Sequence, residues 1–185
     1  MLVSLTVAGV NYGLHPSQEE QVAVDKSVIG TSTGKSKVVV ERGPLAMFAR
    51  SVKDENPIYH NAEAAKEAGF DDIPAPPTYA FSGMTFWGTF PEIQPDDTPE
   101  VNVMADVMGP LIAKGGIILH GEQSFEYHRD LVAGDVLVGE GKVVDIYEKD
   151  SKGKTMTFLV TENAFRDEKT GDPVVTTRMN LIHRS

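Results

Sequence analysis

The 185-residue sequence contains no cysteine. Disulfide scaffolds, thiolate zinc sites, iron–sulfur clusters and cysteine nucleophiles are therefore excluded. It has no apolar run near the ~20 residues that cross a bilayer, so it reads as a soluble globular chain with no membrane partner. Basic side chains are scarce, 17 Lys and Arg against 27 Asp and Glu, for a formal charge of −10. With those cations scattered singly or in pairs, nucleic acid is not the expected partner. The apolar opening Met1 to Val10 lacks a basic n-region and a small-x-small cleavage site, so it is not read as a signal peptide and the expected location is cytoplasmic.

Several catalytic signatures are also missing. The histidines, His15, His60, His120, His128 and His183, form no His-Glu-x-x-His and no close pair with a third ligand, so neither a metal nor another cofactor is expected. No Gly-x-Ser-x-Gly elbow is present. Gly30-Thr31-Ser32-Thr33-Gly34-Lys35-Ser36 looks like a phosphate loop, but three residues separate its glycines where four are needed, and a Val-rich strand follows instead of a helix. It is read as a polar hairpin turn.

What is present fits one domain spanning residues 1–185, with residues 1–20 peripheral. Lys37 to Glu41 reads as a strand. Leu45, Phe48, Ala49 and Val52 then fall at i, i+3, i+4 and i+7 behind Gly43-Pro44, which predicts a short amphipathic helix ending near Lys53. Asn61 can cap a small helix over 62–68. Thr78 precedes a run containing Tyr79, Phe81, Met84, Phe86, Trp87 and Phe90, whose apolar positions lie on more than one face; this predicts a buried helix over about 79–90. The stretch from Phe90 to about Pro99 is read as a surface loop. Beyond it the period becomes two, with strands expected near 117–127, 135–147, 154–165 and 173–183. In the third of these Met156, Phe158, Val160 and Ala164 share a face. Helices first and an antiparallel meander after them make an α+β domain whose sheet can wrap one apolar helix.

The segment Asp54-Glu55-Asn56-Pro57-Ile58-Tyr59-His60 carries the chemistry. It puts a carboxylate, a carboxamide and an imidazole on a proline-braced loop before a helix, an arrangement suited to general acid–base work on a small substrate. The competing reading is an Asx turn at Asp54 and Asn56 with His60 in solvent. In 119–128 the even positions His120, Glu122, Ser124, Glu126 and His128 are polar and read as one solvated or dimer-facing side of a strand.

Taken with Ala75-Pro76-Pro77-Thr78-Tyr79 and with Leu119-His120-Gly121-Glu122-Gln123-Ser124-Phe125-Glu126-Tyr127-His128-Arg129, that loop resembles the MaoC-like, FAS1-type dehydratases. The likeness is strongest to the single-hotdog subunits of mycobacterial-type (3R)-hydroxyacyl-ACP dehydratases, and it runs from about Val24 to Arg184. It implies a hotdog fold, an antiparallel sheet wrapped around a long central helix, and dimerisation with a second copy or with another MaoC-like subunit. It also implies an acyl-CoA or acyl-ACP thioester substrate and (R)-specific hydration or dehydration. The loop residues Asp54, Asn56, Tyr59 and His60 would be catalytic, and Thr78, Tyr79, Phe81, Met84 and Trp87 would border the acyl group.

The pattern departs from active family members twice. They have a histidine where this chain has Tyr59, and His60 follows one residue late; on an extended loop one residue turns a side chain to the other side. They also have His-Gly at the start of the central helix, where Ala75-Pro76-Pro77 offers two residues without an N–H. The donor for the thioester carbonyl would then come from Thr78, Tyr79 or a partner. Three readings follow: a homodimeric hydratase centred on Asp54, the non-catalytic half of a heterodimer, or a module that binds an acyl thioester without turning it over. Thioester hydrolysis would need a carboxylate at the helix start, which Pro-Pro-Thr-Tyr does not supply. Because CoA and carrier protein are anionic, Lys35, Lys37, Arg42 and Arg129 are the candidates for a local basic patch.

Overall fold

The computed structural model describes residues 24–151 and 153–185, without the side chains of Phe86, Trp87 and Ser151. The expected peripheral segment 1–20 lies outside the described residues. The chain enters through a 3₁₀ turn, Lys26–Val28, capped by Asp25 accepting the Ser27 N–H at 2.8 Å. Then come β1 (Ser32–Val39), α1 (Arg42–Ser51), a 3₁₀ turn (Pro57–Tyr59) and α2 (Ala62–Glu67). The central helix is α3 (Tyr79–Ser82) continued by a π-helical segment, Gly83–Trp87. A second π segment, Val103–Met108, opens into α4 (Gly109–Ile112) before β2 (Ile117–Tyr127), β3 (Val136–Ser151), β4 (Lys154–Asp167) and β5 (Pro173–Arg184). The strands form one antiparallel sheet in the order β1-β3-β4-β5-β2.

The central helix lies on the inner face of this sheet. Tyr79, Ala80 and Met84 pack with Val38, Leu137, Phe165 and Val175 in one cluster, joined by Leu45 and Phe48 of α1. A second cluster sets Val107, Met108 and Leu111 against Val143, Ile146 and Leu159. In β4 the row that closes the core is Thr157, Leu159, Thr161 and Phe165, all buried. The row named from the sequence, Met156, Phe158, Val160 and Ala164, faces outward and is only half-buried; there Phe158 stacks on Tyr147 at 4.7 Å. Threonines, short and β-branched, hide in a pleat as readily as larger apolar residues, so alternation fixed the period and not the side.

Three more expectations need correction. The central helix stops at Trp87, short of residue 90: the Gly88 N–H closes a wide turn on the Gly83 carbonyl at 2.7 Å, and the Gly88 carbonyl accepts the Val39 N–H at 3.1 Å, tying the helix end into β1. The helix at 103–112 was not expected, because Gly109-Pro110 reads as a break and a π segment lacks the 3.6 period; Asn102 caps it by accepting from Met104 and Ala105. The polar segment 30–36 is no hairpin turn, since from Ser32 it forms β1.

The two sheet edges differ. The loop after the central helix covers β1 with side chains: Gln94 brackets Lys37, accepting its N–H at 3.0 Å and donating to its carbonyl at 2.9 Å, Asp97 accepts from Lys35 N–H at 2.8 Å, and Glu100 accepts from Ser32 N–H at 2.9 Å. The opposite edge is β2, eleven residues long and mostly exposed, with Ile117 and Leu119 in solvent. Among the described residues no strand pairs with this edge, and an unpaired edge of that length is a template for pairing with another chain.

Candidate functional site

The Asp54–His60 loop is built by short-range hydrogen bonds. α1 ends with Lys53 in the left-handed region, at φ 60°, and the Asp54 N–H reaches the Ala49 carbonyl at 2.8 Å. The Asp54 carboxylate accepts the Asn56 N–H at 3.0 Å, and Asn56 caps the Pro57–Tyr59 turn by accepting from Ile58 at 3.2 Å. Both are Asx turns. The exposed His60 ring has Nε2 3.0 Å from the main-chain carbonyl of Asp54, so it closes the loop on the backbone instead of meeting the carboxylate. Tyr59 takes the inward position. It is 9% exposed, and its hydroxyl is pushed above the ordinary tyrosine range first by burial and then by the Asp54 charge.

At the start of the central helix the N–H groups of Tyr79 and Ala80 are engaged. Pro76 and Pro77 have none, Tyr79 N–H donates to the Pro76 carbonyl at 2.9 Å, and the Ala80 N–H meets the hydroxyl of Tyr127. Tyr127 reaches over from β2 and donates to the Pro77 carbonyl at 2.6 Å; burial of its hydroxyl pushes it up to about 12. Thr78 is exposed and its side chain makes no cap. Tyr79 is 1% exposed, edge-on to Phe48 at 5.6 Å, and burial with the Glu41 charge raises it to about 12.

Between the central helix and the inner sheet face lies a cavity of about 250 Å³. The helix contributes Phe81, Met84 and Thr85, with Thr89 beyond it; the sheet contributes residues of β1, β2, β4 and β5. The site residues named from the sequence thus separate. Phe81 and Met84 border the cavity, Tyr79 packs in the core, Thr78 is at the surface, and the Trp87 side chain lies outside the described residues. The loop residues Asp54, Asn56, Tyr59 and His60 are not part of the cavity wall.

Sequence reading missed Gln123 and Tyr127, and a bulge explains why. Gly121 is an extra residue in β2 between the pairs His120↔Leu181 and Glu122↔Asn180. The bulge reverses the alternation, so His120 shares the inner face with Gln123, Phe125 and Tyr127, while Glu122, Ser124 and Glu126 face out. The supposed single polar face does not exist, and His120 sits edge-on to Phe81 at 5.0 Å. A mid-strand glycine was the available signal. Each of the four cations named for a basic patch is already paired: Lys35 with Glu140, Lys37 with Glu168, Arg42 with Asp72, and Arg129 with Asp135 and Asp167. Beside Arg42, and with the Ile73 N–H as a further donor, Asp72 is held down to about 2. Among the described residues no cluster of three or more His, Asp or Glu is placed to hold a metal, and no helix is long and apolar enough to cross a membrane.

The FAS1-like dehydratase domain region matches residues 27–177. The chain belongs to this family. A UPF0336 protein of Streptomyces coelicolor, SCO4636, is 32% identical over 165 residues, covering 89% of this chain and 97% of that one. A probable enoyl-CoA hydratase alpha subunit of Thermomonospora curvata is 30% identical over 138 residues, 73% of this chain and 42% of that longer protein. The HadBC (3R)-hydroxyacyl-ACP dehydratase complex of Mycobacterium tuberculosis superposes with a TM-score of 0.57 at 20% identity, covering 82% of this chain and 96% of that one. The fold is therefore the hotdog of the MaoC-like dehydratases, and the sheet wrapped on α3 and its π extension is its defining feature.

Proposed function

We propose that this FAS1-like dehydratase chain is the substrate-holding subunit of an (R)-specific enoyl-thioester hydratase or 3-hydroxyacyl-thioester dehydratase, working beside a MaoC-like partner with a complete Asp/His pair. The observation that carries this reading is the His60 ring nitrogen 3.0 Å from the Asp54 carbonyl oxygen. An imidazole spent on the backbone is not positioned by the carboxylate to exchange protons with a water, the task general acid–base catalysis sets. The helix start supports the same reading, since the N–H groups of Tyr79 and Ala80 are already engaged. What the described residues retain is a cavity beside the central helix and an unpaired edge at β2. An acyl chain would enter the former, and a partner's sheet would continue the latter.

One observation favours a second reading, a homodimeric hydratase. Tyr59 takes the buried position on the loop, and burial first and then the Asp54 charge hold its hydroxyl protonated above the ordinary tyrosine range, so the loop keeps an inward acid group near its carboxylate. Mixing separates the two. The chain is combined with a MaoC-like protein bearing an intact Asp-x-Asn-Pro-aliphatic-His loop, and mass and turnover of trans-2-enoyl-CoA are measured. The accessory reading expects a one-to-one complex that turns over longer enoyl groups than the partner does alone. A chain that stays homodimeric and leaves the partner's rate unchanged contradicts it.

A further inference from the structure

We propose that the outer face of the sheet docks a second copy of this chain, the two sheets packing back to back about a two-fold axis. That face lies opposite the cavity, so the inference is independent of how the thioester is handled. It comes from the register of the strands. Residues directly opposite one another in an antiparallel pair share a face. Met156, Phe158 and Val160 of β4 look outward, and each belongs to a row that crosses four strands.

The first row is Ile117, Arg184, Met156 and Lys149. The second is Leu119, Ile182, Phe158 and Tyr147, without a charge. The third is Glu122, Asn180, Val160 and Asp145. An apolar row thus runs between two cations on one side and two carboxylates on the other, and all four charged side chains are exposed. Among the described residues Arg184, Lys149 and Asp145 form no salt bridge. Lys149 rests its ammonium 5.2 Å from the centroids of both Tyr147 and Phe158, which places the charge above the apolar row. Ile117 and Leu119 are 54% and 40% exposed. An apolar patch with a polar rim marks an interaction surface.

The order of the charges selects the occupant. An acidic protein or an anionic lipid surface meets Arg184 and Lys149 favourably but Glu122 and Asp145 unfavourably. A second copy satisfies both. Rotation by 180° about an axis along the middle row, midway between the sheets, lays that row on its own counterpart and turns each first row onto the other chain's third row. Lys149 then faces the second copy's Asp145, and Arg184 faces its Asn180 beside Glu122. In such an isologous interface every contact is made twice.

The test is the mass of the full chain by sedimentation over a concentration series, for wild type, Lys149→Glu, Asp145→Lys and the double variant. Both positions are exposed on β3, with β4 and β5 between them and the β2 edge, so the fold and any pairing through β2 are left alone. The expected result is a wild-type assembly of twice the mass of either single variant. Each reversal sets like charges opposite one another and weakens self-association at least about ten-fold, and the double variant recovers it. Because the chain has no cysteine, Ile182→Cys gives a second readout. Packed sheets stand ~10 Å apart, too far for a disulfide, so a short bis-maleimide is the linker. It is expected to join Ile182→Cys to its own copy and to leave Met47→Cys, on the exposed side of α1, unjoined. Equal masses for all four proteins, with no linking at Ile182→Cys, overturn the proposal and leave the face to solvent, to residues 1–23 or to another molecule. Single reversals that weaken association without rescue in the double variant overturn the two-fold facing of the rows.

Discussion

Replacing Tyr79 by alanine is expected to cost the fold about 3–5 kcal/mol, the range for deleting a large buried ring. The side chain is 1% exposed and joins α1 to the central helix through its edge contact with Phe48. Its ring also lies over Gly83, one turn on. A β-carbon at Gly83 would sit 2.0 Å from the ring, so Gly83→Ala alone is expected to destabilise by about 1–3 kcal/mol through overpacking. The two effects are coupled. In a Tyr79→Ala background the clash is gone, and Gly83→Ala should then stabilise, by up to about 1 kcal/mol, because alanine loses less backbone entropy in a helix. Urea midpoints of the four proteins test this. A Gly83→Ala penalty that is the same with and without Tyr79 contradicts the packing described here.

The second large effect falls on Arg129. Its guanidinium is bidentate to Asp135, at 2.8 and 3.0 Å, and reaches Asp167 at 3.2 Å. Asp135 also accepts the Val132 N–H at 2.9 Å, and Asp167 accepts from Lys169 and Thr170. One side chain thus ties the end of β2 to the β2–β3 turn and to the β4–β5 hairpin. Isolated surface pairs contribute little, but this pair is forked, partly buried and shared. Arg129→Leu strands two carboxylates and is expected to cost about 2–3 kcal/mol. Lysine, a point charge without the fork, should recover only part of that. Full recovery by Arg129→Lys in the same urea titration contradicts a geometric role.

Most of the fold was legible in the sequence because period-two and period-3.6 patterns are long-range facts about burial. The strands at 117–127 and 173–183 and the helix behind Gly43-Pro44 emerge close to where the pattern puts them. What was lost depends on single residues. Gly121 shifts the pleat of β2 and so decides that Gln123 and Tyr127, not Glu122 and Glu126, look toward the helix. The π segments at 83–87 and 103–108 carry no periodic signal. At the loop, the one-residue lateness of His60 was visible, but its bond to the Asp54 carbonyl depends on the left-handed step at Lys53 and the turn at Pro57, which no pattern encodes. The cavity was legible only on its helix side, through Phe81 and Met84. Its sheet side mixes Phe165 and Met179 with polar residues, and polar residues in strands look like surface until the register is known.

The central claim is that this chain holds substrate while a partner does the chemistry, and it is tested most directly by hydration of crotonyl-CoA and a longer trans-2-enoyl-CoA by the purified chain alone. Wild type and Asp54→Asn are compared after both are checked for the same oligomer size. The account predicts that neither protein hydrates either thioester above the uncatalysed rate. Turnover by the wild type that Asp54→Asn abolishes would contradict it, and would make the Asp54 loop an active site despite the placement of His60.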